Sequence, residues 1–321
     1  MNLSKASVIA LCLLATPAMA QQWSPTRQIR IIIPAAPGAA MDTIPRMLAP
    51  GLSAALGQPV FVENRPGANN IIGSDVVAKS APDGYNLVVT SPSSHQIAYY
   101  LVKKLPYDPK KDFTPITAIG DPVTCLVVNP SVPANTMQEF IAYLRKNPGK
   151  VAYGSSGIGS AFHLMGEMLK LDANVDVIHV PYKGIALALQ DLVGGQVQFA
   201  ISSVANAMPL VQAGKVRALA VVAPKQIPQL PGVPPISDAV PGYERPASWY
   251  GYLGPANLPP AITNRYGTEL VKLLTEPATR TKLESMGLSV IANTPAEFRV
   301  MYDKGFDVMG RVIKAAGIEP E

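Results

Sequence analysis

Hydrophobic positions along the chain follow two alternating rhythms. Short β-branched or mixed apolar runs, closed by Gly, Pro, Asn or Asp clusters, are followed by stretches in which apolar residues return every three or four positions. The first rhythm suits buried strands and the second amphipathic helices. The earliest example organises the rest. Ile29 to Ile33 reads as a strand, Pro34, Pro37 and Gly38 end it, and Asp42 is placed to cap a helix carrying Ile44, Met47, Leu48, Leu52 and Leu56. Pro45 falls in that helix's first turn, where a fixed φ and a missing N–H are tolerated. A strand, a tight loop and a helix start gather unpaired N–H groups and the positive end of a helix dipole. The loop is therefore a candidate seat for a carboxylate or phosphate. The same pattern also fits any strand-to-helix junction of an α/β protein.

Further along, Pro59 to Glu63 and Tyr85 to Thr90 read as strands with a helix from Ile71 to Ala81 between them. Strands at helix-separated intervals predict a parallel sheet, whose ligands gather beyond the carboxyl ends of the strands. Ala35 to Asp42 and the polar segment Ser91-Pro92-Ser93-Ser94-His95 both lie at that edge. Leu105 to Phe113 is irregular, and Cys125 to Val128 reopens strand structure. A second block then repeats the first: helix Met137 to Lys146, strand Val151 to Tyr153, loop Gly154 to Ser160 and helix Ala161 to Leu171. Strand Val177 to Val180, helix Ile185 to Val193 and strands Val197 to Ser202 and Arg217 to Val222 complete it. After a proline-dense connection come strand Tyr250 to Leu253 and helices near Ala261 to Leu274, Thr279 to Met286 and Ala296 to Ala316. That tail is too short for a third domain. The expected α/β architecture is two lobes with a cleft between them: residues 21–122 begin lobe 1, 123–243 form lobe 2, and 244–321 return to lobe 1.

Composition narrows the function classes. Lys5 precedes an apolar run from Ala6 to Ala15, and Ala18-Met19-Ala20 supplies a small-x-small site, so residues 1–20 read as a secretory signal cleaved after Ala20. Leu11 before Cys12 argues against a lipid anchor, and no later stretch approaches the roughly 20 apolar residues of a membrane span. Cys125 is then the one remaining cysteine, so an intramolecular disulfide is excluded. The formal charge of +5 becomes +4 without Lys5, and the basic residues are scattered among acidic ones, which argues against nucleic acid as a partner.

The loop Gly154-Ser155-Ser156-Gly157-Ile158-Gly159-Ser160 is the second informative stretch. It joins a strand to a helix and offers hydroxyls and flexible glycines, so its N–H groups could form an anion nest, although a Gly/Ser turn is often only a turn. A P-loop is excluded because no Lys-Ser/Thr pair follows Gly159, and a dinucleotide fingerprint because Phe162 stands where the last glycine belongs. His95, His163 and His179 lack metal-site spacing, and no metal or cofactor is expected. Ser156 or Ser160 with His163 leaves an exported hydrolase as an alternative. Tyr182 and the Trp249/Tyr250/Tyr252 cluster read as packing or hinge residues that could touch a ligand.

Several segments carry a family likeness: Ile31 to Arg46, Val62-Glu63-Asn64-Arg65-Pro66-Gly67-Ala68, Pro82-Asp83-Gly84-Tyr85, Leu105-Pro106-Tyr107-Asp108-Pro109 with Asp112-Phe113, Tyr153 to Ser160 with His163, and His179 to Gly184. With these, almost the whole mature chain resembles the Bug-type periplasmic solute receptors of tripartite tricarboxylate transporters. The resemblance implies a type II periplasmic-binding-protein (Venus flytrap) fold with a hinge, closing on a small carboxylate that is passed to inner-membrane permease subunits. By position it implies that Pro37, Gly38, Ala39, Ala40, Met41 and Asp42 grip the ligand from one lobe and Ser155, Ser156, Gly159 and Ser160 from the other. Ser91, Ser93, His95, His163, Tyr182 and Ser202 complete the candidate site, and Asp42→Ala is expected to weaken binding with the fold intact. Ala39 and Ala40 replace the family's usual glycines, and their methyls with Met41 would make the pocket more apolar. Ser202 stands where many relatives place an acid, which favours a ligand without an amino group, dicarboxylic or aromatic. A monomer is expected, and a receptor that signals to a sensor kinase is a further alternative.

Overall fold

The computed structural model describes residues 23–223, 225–243 and 248–320. The expected signal peptide and its cleavage site lie outside the described residues. The chain opens with β1 (Ile29–Ile33), α1 (Ala40–Leu56), β2 (Val60–Asn64), α2 (Ile71–Ala78), β3 (Asn86–Thr90), α3 (Ala98–Leu101) and β4 (Phe113–Pro122). It continues through β5 (Thr124–Val128), α4 (Met137–Lys146), β6 (Ala152–Ser155), α5 (Ala161–Ala173), β7 (Ile178–Pro181), α6 (Ile185–Val193), β8 (Phe199–Ser203), α7 (Val204–Gln212) and β9 (Arg217–Val222). It ends with β10 (Tyr250–Pro255), α8 (Pro260–Thr275), α9 (Pro277–Ser285), β11 (Leu288–Val290) and α10 (Pro295–Ala315).

Two sheets define two α/β lobes. The six-stranded sheet of lobe 1 has the order β11-β4-β10-β3-β1-β2, and the five-stranded sheet of lobe 2 the order β7-β6-β8-β5-β9. Neither is purely parallel, contrary to the expectation from strand spacing. β1 runs parallel to β2 and β3, but β10, arriving from the far end of the chain, pairs antiparallel with β3 and β4. In lobe 2, β6 is parallel to β7 and β8, whereas β5 is antiparallel to β8 and β9. Chain order alone does not reveal a strand that is inserted between two earlier ones.

Period-two alternation places each strand's residues on opposite faces. Ile31 and Ile33 join Leu48, Leu52, Tyr266 and Leu270 on one side of the lobe 1 sheet. Ile32 and Val88 face Trp249, Phe298, Tyr302 and Phe306 on the other. In lobe 2, Leu126 and Val128 face α4 and α5, while Cys125 and Val127 face Leu189 and Leu192.

Three departures from the sequence reading have local causes. β4 was hidden by Pro115, Gly120 and Pro122; Pro115 sits opposite Leu253 beside a register shift, where its missing N–H is accommodated. α7 was hidden by Pro209 within it, and it starts at Ser203, whose hydroxyl accepts the Asn206 N–H. α1 begins at Ala40 with Ala39 as an N-cap that makes no side-chain bond, so Asp42 is not the cap and Pro45 lies past the first turn.

The lobes are joined where β4 runs through Val123 into β5 and by the long connection from β9 to β10. A third link is α10. Thr294 and Glu297 form a capping box at its start. Its first half buries Phe298, Tyr302 and Phe306 against lobe 1, and its second half buries Met309, Val312 and Ile313 in the lobe 2 cluster containing Leu164 and Met168 of α5. The returning tail thus serves both lobes.

Candidate functional site

A cavity of about 560 Å³ lies between the lobes, within the ordinary size range of small-molecule sites. Lobe 1 lines it with Met41, Asn69, Asn70, Ser91, Ser93 and Tyr250, and lobe 2 with Ser156, Gly159, Ser160, Lys183, Ser203 and Asn206. Its apolar surface includes Ile97, Leu101, Phe162, Met165 and Met309.

The lining residues cluster at helix starts. Met41 is in the first turn of α1, Asn70 immediately precedes α2, Ser160 caps α5, Gly184 precedes α6 and Ser203 caps α7. Each N-terminus carries about half a positive charge and unpaired N–H groups. Their availability differs. Ser160 accepts the His163 N–H and Ser203 the Asn206 N–H, so α5 and α7 spend part of their donors on their own caps. At α1 the dipole already faces the buried carboxylate of Asp42, which accepts from Gly38 N–H, Asn64 Nδ2 and Arg46 Nε, each at 2.9 Å. α2 and α6 have no side-chain cap. Lys183 stands just before α6 and makes no ion pair among the described residues. Lys183 and Glu319 are the charged side chains in the described lining, and their formal charges cancel. Any attraction for an anion therefore comes from the helix ends and from Lys183 standing beside one of them.

The sequence-derived site is only partly assembled here. Met41, Ser91, Ser93, Ser156, Gly159 and Ser160 line the cavity. Pro37, Gly38, Ala39 and Ala40 are exposed and outside its lining, so the alanine methyls do not make it more apolar. Asp42, 3% exposed, organises the first loop from behind, and burial, which would raise its pKa, is outweighed by its three donors, which hold it below the usual carboxylate range. His95 is fully buried, hydrogen-bonded to Ser94 and packed against Tyr107, Phe113, Trp249 and Tyr302, where burial holds its pKa down at about 3. Its ring belongs to the lobe 1 interior, not to the cleft. Ser155 and Ser202 are buried beneath the lining, and the Tyr182 hydroxyl donates to Asp191 at 2.7 Å. His163 lies behind the Gly159 loop.

Sequence reasoning missed Asn69, Asn70, Lys183, Ser203 and Asn206. The first two had a readable signal: Ala68, Asn69 and Asn70 carry φ of 45°, 50° and 74°, a left-handed run that asparagine tolerates better than most residues, leading straight into α2. Lys183 lay within the His179 to Gly184 segment of the family likeness without being singled out. Ser203 and Asn206 belong to the unpredicted α7.

No serine protease-like triad is present among the described residues. His163 Nδ1 accepts the Gly159 N–H rather than a serine hydroxyl, and two close Ser–His pairs, Ser155 Oγ with His179 Nε2 at 2.7 Å and Ser94 Oγ with His95 Nδ1 at 3.0 Å, are walled off by the complete burial of both serines. Nor is there a metal-ligand cluster among the described residues, and no helix of the described chain is long and apolar enough to cross a membrane.

Two α/β lobes facing each other across a cleft of mixed polarity, with helix starts along its lining, have the architecture of a solute-binding receptor. The profile of the tripartite tricarboxylate transporter family receptor (TctC) matches residues 44–318, and the chain belongs to that family of non-catalytic, periplasmic Bug-type receptors. It is 32% identical to the protein BugT of Bordetella pertussis over 294 residues, covering 91% of this chain and 89% of that one. It resembles a Rhodopseudomonas palustris structure with adipate, with 34% identity, a TM-score of 0.81, and 92% and 99% of the two chains covered. MatC from Rhodopseudomonas palustris, with bound malate, shares 29% identity with a TM-score of 0.75 over 90% and 99% of the two chains.

Proposed function

We propose that the protein captures a small dicarboxylate without an amino group in the interlobe cleft and delivers it, as an exported monomer cleaved after Ala20, to inner-membrane permease subunits. The observation carrying this reading is the pairing of Lys183 with the uncapped start of α6 on one lobe, opposite the uncapped start of α2 with Asn70 and Ser91 on the other. Two separate donor-rich poles suit a guest with an anionic group at each end. Adipate and malate, the ligands of two similar structures, are both diacids. Ser202, where an acid would greet an ammonium group, is buried and donates to the Ser203 carbonyl. Hinge closure would bury the guest and shape the surface offered to the permease.

A thermal-shift screen of the mature chain over mono-, di- and tricarboxylates, aromatic acids and amino acids tests this directly, because a ligand of the folded state raises the melting temperature. Diacids of four to six carbons are expected to give the largest shifts, and a response confined to amino acids would refute the reading. Calorimetry on Lys183→Gln separates the poles. Adipate affinity is expected to fall about tenfold, while a monoacid of equal length loses much less. An equal loss for both would take Lys183 away from the second carboxylate.

A further inference from the structure

Behind the cleft, the Gly154–Ser160 loop is held by two stacked imidazoles. His163 Nδ1 accepts the Gly159 N–H at 3.1 Å, and its own backbone N–H donates to Ser160 Oγ at 3.2 Å, so one residue grips both lining positions. His179 Nε2 lies 2.7 Å from Ser155 Oγ, which also accepts the Gly157 N–H at 3.1 Å. The two rings stack with centroids 3.9 Å apart and planes 14° from parallel. The groups facing them are Tyr153 of β6, whose ring is 4.9 Å from that of His179, and Glu167 and Lys170 of α5. Glu167 Oε1 is 3.9 Å from His163 Nε2, but the carboxylate is already engaged by the Tyr153 hydroxyl and by Lys170 Nζ.

We propose that His163 and His179 are positioning residues of the ligand loop: His163 holds Gly159 through a bare Nδ1 and releases it when that nitrogen is protonated, while His179 anchors Ser155 and braces the His163 ring by stacking on it. The inference deepens the reading above, since the loop bears on binding only if this cleft holds the guest. An acceptor at His163 Nδ1 leaves the neutral ring's proton on Nε2. A second proton would set N–H against N–H at Gly159 and place two cations in a 3.9 Å stack. Burial lowers both pKa values; for His179, burial and then the neighbouring His163 bring it to about 4, while for His163 the nearby Glu167 partly offsets burial. With both values depressed in the intact loop, its stability is complete above the ordinary histidine value of 6.5 and is lost as pH falls from there towards about 4.

The test combines resonance titration of the imidazoles and the Gly159 and Ser160 amides with calorimetry using adipate, on the full mature chain. The Gly159 amide is expected to move with the imidazole titration, and between about pH 7 and about pH 4 adipate affinity is expected to fall about tenfold more than in His163→Asn, the comparison that cancels adipate's own protonation. In His163→Asn, whose Oδ1 takes the place of Nδ1 and does not titrate, the Gly159 amide should stay put and only the loss from adipate's own protonation remain. A Gly159 amide unmoved while the rings titrate, or an equally steep acid loss in His163→Asn, would overturn the proposal. Should that variant not fold, His163→Gln, whose Oε1 also accepts and does not titrate, takes its place with the same criteria. Absence of adipate binding at neutral pH would count against adipate as the guest, while the amide titration would still decide what the histidines do.

Discussion

Gly159→Val should lower adipate affinity about hundredfold, a loss of about 2.7 kcal/mol. The expected cause is twofold. Gly159 has φ +70°, a left-handed conformation that costs a non-glycine residue about 1–3 kcal/mol and a β-branched one the most. A Cβ there would also stand 2.7 Å from Leu101 Cδ1, and Leu101 belongs to the opposite lobe. The substitution therefore strains the loop that carries Ser160 and wedges the lobes where both line the cavity. Calorimetry with adipate beside a melting curve checks it: unchanged affinity would remove the loop from the site, whereas a collapse of the melting transition would make the effect one of folding.

Asp42→Ala should reverse the expectation drawn from sequence and cost stability more than affinity, about 1–3 kcal/mol in urea unfolding at neutral pH. Its carboxylate is buried, and it satisfies Gly38 N–H, Asn64 Nδ2 and Arg46 Nε. Removing it leaves a half-buried N–H donor of Asn64 Nδ2 unpaired, at about 1–3 kcal/mol, while the exposed Gly38 and Arg46, 46% exposed, regain water. The pH dependence has a fixed sign. A carboxyl held below its ordinary value of 3.8 contributes fully above that value and loses its contribution as pH falls through the folded one. The gap between wild type and variant should narrow in strong acid. A gap that widened on acidification would contradict the hydrogen-bonded role.

Local signals in the chain carried much of this molecule. α4, α6 and β9 lie within the residues that periodicity picked out, because each is a compact apolar pattern bounded by ordinary turn residues. Ser156, Gly159 and Ser160 do line the cavity, where the loop between strand and helix puts them, although such a loop is often only a turn. Proline caused the main losses: Pro115 in β4 and Pro209 in α7 read as breakers, and tertiary pairing overrode them. With α7 went Ser203 and Asn206. The first loop misled for a different reason. Its strand-loop-helix pattern is real, but the charge that the helix start attracts is the chain's own Asp42, so α1 has less to offer a guest than its pattern suggests. His95 shows the same limit, since nothing local distinguishes an imidazole in a cleft from one sealed among aromatic rings.

Because α10 completes the oily interior of one half with Phe298 and Phe306 and of the other with Met309 and Ile313, neither half owns a finished interior. Any closing of one half on the other would therefore have to keep this shared helix packed at one flank. The two halves thus resemble the valves of a clamshell that share a rib, and deleting that rib should leave both valves unable to stand alone.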